Sequence, residues 1–205
     1  MVRDEERKAR ASETPVVGGL PDVPGIVAAM QLSPGLAVHL RGLADELLVK
    51  DFPGATLTRA ERELIATAVS AGNDCFYCMD SHGAFASALL RRANATGIDA
   101  LVDSIKAGRS EGVDAKMAAL VHLARTVQQS PRRLTREDVV RALEAGATDA
   151  DTQLAVLIAS AFCMYNRMVD GLRARTPASE EAYAARAAEI AEYGYGDARV
   201  RSVPR

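Results

Sequence analysis

From Ser33 to Tyr193 the apolar residues of this chain recur at helical spacing in one segment after another. Leu36, Leu40, Leu43 and Leu47 follow Ser33-Pro34, a capping residue with a proline at the first helical position. The segment KDFPGA ends that helix. The next opens with LTRAE, where Thr58 can cap the exposed amides while Glu61 reaches back, a capping box. Leu64, Ile65, Ala68 and Val69 supply its buried stripe, and Gly72-Asn73 closes it. A third helix is expected from about Asp74, as N-cap, to about Arg92. Ile98, Leu101, Val102 and Ile105 mark a fourth that stops at Gly108. A fifth spans roughly 114–129, with Leu120, Val121, Ala124 and Val127 inward. LTRED then repeats the capping pattern at Thr135, with Val139, Val140 and Leu143 leading to Gly146. The segment 149–174 carries Leu154, Leu157, Ile158, Ala161, Phe162, Tyr165 and Val169, and a polar, alanine-rich helix covers about 178–192.

No segment reads as a strand. Aromatic residues are 4% of the chain and tryptophan is absent, which removes the side chains that suit sheets. The fold class is therefore an all-α helical bundle. Its two LTR-initiated helices, each followed by a longer one, suggest an internal helix-hairpin duplication. At 205 residues one core suffices. The expected organisation is a flexible or subunit-contacting arm over residues 1–22, a single helical domain over 23–195 and a C-terminal tail over 196–205.

A formal net charge of −2 leaves no basic surplus to neutralise phosphates, which argues against nucleic-acid binding. No apolar run reaches the ~18–20 residues of a membrane span. The opening MVRDEERKARASET lacks the apolar core of a secretory signal, so a cytoplasmic location is the default.

The chemistry concentrates in ERELIATAVSAGNDCFYCMDSH, residues 61–82. Successive helical residues turn by about 100°, so Cys75, Cys78 and His82 fall within a stripe about 60° wide. Cys78 and His82 are spaced so that their side chains can meet. Two antiparallel helices joined at Gly72-Asn73 place Glu63 and His82 at about the same height on the shared seam. These residue types suit thiol oxidation. The thiolate is the nucleophile, and a cysteine in a helix's first turns feels its partial positive end. A histidine can take the thiol proton, a carboxylate can orient that histidine, and a second cysteine can resolve a sulfenic acid into a disulfide.

The pattern Glu63, Cys75, Cys78 and His82, within ERELIATAVSAGNDCFYCMDSHGAFA, resembles the AhpD-like alkylhydroperoxidases of the carboxymuconolactone decarboxylase superfamily, and its peroxidase-related branch in particular. NRMVDGL at 166–172 is similar to the same branch. The resemblance implies an AhpD-like bundle that assembles as a homo-oligomer, a trimer or hexamer or else a dimer, with no metal or prosthetic group. It implies that Cys78 attacks a hydroperoxide, that Cys75 resolves, and that Glu63 and His82 relay the proton. A dithiol or protein reductant would complete the cycle. Where the best-studied members carry a histidine between the cysteines, this chain has Phe76-Tyr77.

Rival readings remain. Two cysteines, a histidine and a glutamate could surround zinc, although cysteines three apart within one helix are poorly suited to a tetrahedral clamp. Cys75 and Cys78 could serve a non-enzymatic redox sensor or assembly protein. Lactone decarboxylation, the superfamily's other named activity, needs no cysteine pair. Cys163 reads as a core residue, and His39 and His122 as structural or solvent-facing.

Overall fold

The computed structural model describes residues 2–195. Its helices are α1 (Val2–Ala11), α2 (Ile26–Leu32), α3 (Pro34–Leu48), α4 (Arg59–Gly72), α5 (Phe76–Arg92), α6 (Ile98–Lys106), α7 (Ala115–Gln129), α8 (Arg136–Glu144), α9 (Asp149–Gly171) and α10 (Ala184–Tyr193). Short 3₁₀ turns lie at Pro131–Arg133 and Glu180–Tyr183, and no strand occurs among the described residues. The fold is all-α.

Helix α4 is the centre of the bundle. It is buried almost all round, with Leu64, Ile65, Ala66, Ala68 and Val69 against its neighbours. A helix apolar on one stripe needs one partner, whereas one lined by alanines on its other sides accepts several at close range. It packs against α5 as an antiparallel hairpin and against α7 and α9 on its other faces. Leu120, Leu123, Leu154, Ile158 and Phe162 complete this core. The starts of α4, α8 and α9 are fixed by capping boxes at Thr58–Glu61, Thr135–Asp138 and Thr148–Asp151. Asp151 also accepts hydrogen bonds from the Thr56 and Leu57 amides, tying the approach to α4 onto the start of α9.

Several expected details differ. Asp74 does not cap α5: it takes a left-handed conformation (φ 53°), and Cys75 occupies the N-cap position without a side-chain capping bond. A carboxylate was the better cap on propensity, but Cys75 is drawn into the core. Helix α2, too short for periodicity to register, was not anticipated. Leu36, Leu43, Val140, Leu143 and Leu157 are exposed by 37–48%. On α3 the buried arc is centred on Leu40, Ala44 and Leu47, which leaves Leu36 and Leu43 past its edge. On α8 the capping Asp138 turns inward with Ala142, rotating Val140 and Leu143 outward.

The N-terminal arm is a structured part of the chain. Arg7 of α1 is buried, with Nε 2.6 Å from Asp80 Oδ2 on α5. Lys106 Nζ of α6 reaches the other oxygen of Asp80 at 3.0 Å, and Glu180 meets both cations from the rim. Gly83 makes this geometry accessible, since a Cβ there would come within 2.8 Å of Lys106 Cε. Beyond α1 the chain runs beside the segment that follows α9, with Val16 N donating to Leu172 O and Gly25 N to Arg175 O.

Removing Asp80 would take the buried anion from between two buried cations and leave them the half-exposed Glu180. Asp80→Ala should therefore lower unfolding free energy by about 3–5 kcal/mol in a urea titration. A wild-type midpoint would show the cluster to be energetically idle. Acid should act through the capping carboxyls. Hydrogen bonds from the Thr135 amide and hydroxyl hold Asp138 down at about 2. At Asp151 burial pushes upward, but the bonds from Thr148, Thr56 and Leu57 outweigh it and leave the group below its ordinary value. Their contribution is complete above the unfolded pKa of about 4 and disappears as pH falls through the folded values. Melting temperature should thus fall between about pH 4 and pH 2, and less steeply in an Asp138→Asn, Asp151→Asn double variant.

Candidate active site

Glu63 and His82 meet across the α4–α5 hairpin. Glu63 is fully buried on α4, and its Oε2 lies 2.6 Å from His82 Nδ1 on α5. The remaining carboxylate oxygen, Oε1, accepts a hydrogen bond of 2.7 Å from the Tyr195 hydroxyl. Tyr195 Oη is also 3.2 Å from His82 Nδ1. A carboxylate can only accept, so the imidazole carries its proton on Nδ1 and presents Nε2 as the free basic nitrogen. The edges of Phe162 and Phe85 pack on the ring, with centroids 4.6 and 5.1 Å away, and Tyr195 stacks alongside. Burial and the Glu63 charge push the Tyr195 hydroxyl well above its ordinary pKa, so it stays a donor.

The two cysteines sit at the start of α5, and both are buried. The hydrogen bond that the Cys75 thiol makes with Cys78 raises its pKa, and burial and the charge of Cys78 add to the effect. Asp170, at the end of α9, accepts a hydrogen bond from Cys75, and burial raises the pKa of its carboxyl. Both cysteines pack in one cluster with Ala28, Val169 and Ala174, against which lie Leu20, Val23, Ile26 and Tyr77.

Access is unequal. A cavity of about 1000 Å³ is lined by Cys78, Ser81, His82, Phe85, Tyr77 and Tyr195, and Cys75 is not part of its wall. Among the described residues His82 makes no hydrogen bond to either sulfur. The direct Cys78–His82 hydrogen bond that their spacing allowed is absent among the described residues, and Nδ1 is engaged by Glu63 and Tyr195. No group of three or more His, Cys, Asp or Glu side chains converges to hold a metal ion among the described residues.

The Phe76-Tyr77 pair between the cysteines divides its tasks. Phe76 packs into the core with Ala71 and Met79. Tyr77 lines the cavity and meets the edge of Tyr183 at 5.8 Å. Gly25, at φ 55°, passes so close to the Tyr77 ring that a Cβ would overlap it. Elsewhere, Cys163 is partly buried and takes a long contact of 3.7 Å from the Asn73 amide. Asn73 also bonds Asn166, which donates to Ser70. His122 bonds Asp138, and His39 is solvent-facing. Tyr195 and Asp170 were not foreseen. Tyr195 follows the last helix, outside any periodic pattern, and Asp170 sits in the NRMVDGL stretch with nothing local to point it at a thiol.

Residues 40–90, from within α3 to the end of α5, match the carboxymuconolactone decarboxylase family model. A crystal structure described as the alkylhydroperoxidase AhpD core of an uncharacterized peroxidase-related protein from Ralstonia eutropha JMP134 superposes with a TM-score of 0.66 at 26% identity. The match covers 78% of this chain and 80% of that one. The chain is similar to the carboxymuconolactone decarboxylase family over residues 40–90 and has the fold of the AhpD core. An uncharacterized peroxidase-related protein from Silicibacter sp. TM1040 shares the fold, with a TM-score of 0.65 at 21% identity over 85% of this chain and 93% of that one. No significant match was found among curated proteins.

In this AhpD-like fold the cavity that opens on Cys78 and the raised pKa of the Cys75 thiol both favour Cys78 as the reactive thiol. Limiting iodoacetamide at neutral pH should label Cys78 at least about tenfold faster than Cys75, as read by peptide mass spectrometry. Equal labelling would contradict the asymmetry.

Proposed function

We propose that the protein is a thiol-dependent peroxidase that reduces hydroperoxides through a Cys75–Cys78 dithiol/disulfide cycle. The observation that carries this reading is the thiol pair whose outer member, Cys78, shares a cavity wall with a histidine held by a buried carboxylate. The description of similar structures as peroxidase-related supports it.

In the first step the Cys78 thiolate attacks the terminal peroxide oxygen. The S–O bond forms as the O–O bond breaks, and the alkoxide leaves as the alcohol with the proton that His82 Nε2 has taken from the Cys78 thiol, the interim imidazolium being balanced by Glu63. Cys78 is oxidised to a sulfenic acid and the peroxide is reduced. Cys75 then gives up its proton and attacks the Cys78 sulfur, so that the S–S bond forms, the S–O bond breaks and water leaves. Asp170 stands beside Cys75 as an acceptor for that proton. A dithiol or protein reductant restores both thiols by exchange, entering at Cys78, the sulfur that faces the cavity.

The steady-state test uses an organic hydroperoxide with a dithiol donor. Cys78→Ser should abolish peroxide consumption, whereas Cys75→Ser should complete one oxidation and stall at the sulfenic acid, trapped by dimedone. Equal residual turnover in the two variants would assign the roles wrongly. Glu63→Gln should lower kcat/KM by about 10²–10⁴-fold, the usual scale for losing a proton-transfer partner. Wild-type turnover in that variant would remove the relay from the mechanism.

A further inference from the structure

Resting on the peroxidase reading, the structure assigns a substrate class: we infer that the site takes a hydroperoxide with an apolar body and a single carboxylate, the carboxylate being held by Arg41. The cavity over Cys78 is walled by apolar side chains from several elements, among them Ile26, Val27 and Met30 of α2, Phe85 of α5 and Phe162 of α9. Its volume of about 1000 Å³ far exceeds what hydrogen peroxide needs and suits a long aliphatic or aromatic body. Three charged residues line it: Arg41, Arg186 and Glu189. Arg186 and Glu189 answer each other at 2.7 Å along α10.

Arg41 is different. It is partly buried on α3, and no carboxylate among the described residues lies within ion-pair distance of it. Asp45, one turn further on, is turned to the amide of Tyr195 at 2.7 Å. The α3 backbone beside Arg41 is fixed, since Leu40 O accepts a hydrogen bond of 2.8 Å from Tyr165. Withdrawing a guanidinium from water without an anion is unfavourable, and a carboxylate matches its fork with two parallel bonds. The wall thus carries one unanswered positive charge, at Arg41, beside the apolar side chains of α2. An amphipathic anion satisfies both parts at once, with its apolar chain along α2 and its peroxide toward Cys78 and His82.

The test compares a fatty-acid hydroperoxide with its methyl ester, which keeps the body and loses the charge. The wild type should favour the acid in kcat/KM by about ten- to a hundredfold, the scale of a charge-assisted hydrogen-bonded pair. Arg41→Gln should bring that ratio near one, and Arg41→Lys should keep part of it. The second arm needs no chemistry. Binding of the parent fatty acid and of its methyl ester to Cys78→Ser is measured by displacement of a fluorescent fatty-acid probe, with and without Arg41→Gln. Discrimination in binding that Arg41→Gln removes, even without turnover, supports the carboxylate site while removing the peroxidase reading. Turnover with equal preference for acid and ester, together with equal binding, overturns the carboxylate site and leaves the peroxidase reading standing.

Discussion

A carboxylate with no exposure to solvent is unfavourable unless every oxygen is answered, and Glu63 is such a group at the centre of this bundle. His82 answers one oxygen from α5, and Tyr195 answers the other from beyond α10. These two bonds bring three distant parts of the chain to one point. They fix the register of the α4–α5 hairpin, and they set the imidazole so that Nε2 is its free nitrogen. The orientation of the α5 face that carries Cys78 and His82 follows from satisfying one buried charge. Removing that charge would relax the fold and the site together.

The same packing separates the two cysteines. Cys75 precedes the first turn of α5 and lies outside the cavity wall, while Cys78 opens to the cavity. The buried Arg7–Asp80–Lys106 cluster anchors that segment's first helix between the positions of Cys78 and His82 on α5. Gly25 then allows the chain to cross directly over Tyr77. The arm is therefore part of the wall that gives the thiols different surroundings. Tyr77, between the two cysteines, contributes a face of the cavity.

Much of this was legible in the residues. Capping boxes at Thr58 and Thr135 are local patterns between near neighbours, and both formed where the chain placed them. The meeting of Glu63 with His82 could be anticipated because a short turn leaves an antiparallel hairpin little freedom in register. Edges were harder. Leu36, Leu43 and Val140 have the right spacing, but which side of a stripe is covered depends on neighbours that periodicity does not name. Tyr195, Asp170 and Arg7 lay beyond reach for a related reason. Each acts across a long sequence separation through polar contacts that no spacing rule records.

The account turns on both sulfurs being consumed together by one peroxide at this site. A single-turnover measurement addresses that directly: fully reduced protein is mixed with substoichiometric organic hydroperoxide, without reductant, and alcohol released and thiols lost are counted in the same sample. One alcohol for every two thiols, with the lost thiols recovered as a Cys75–Cys78 disulfide in peptide maps, is the predicted result. Thiols that survive while the peroxide persists, or a disulfide that pairs Cys163 instead, would contradict it.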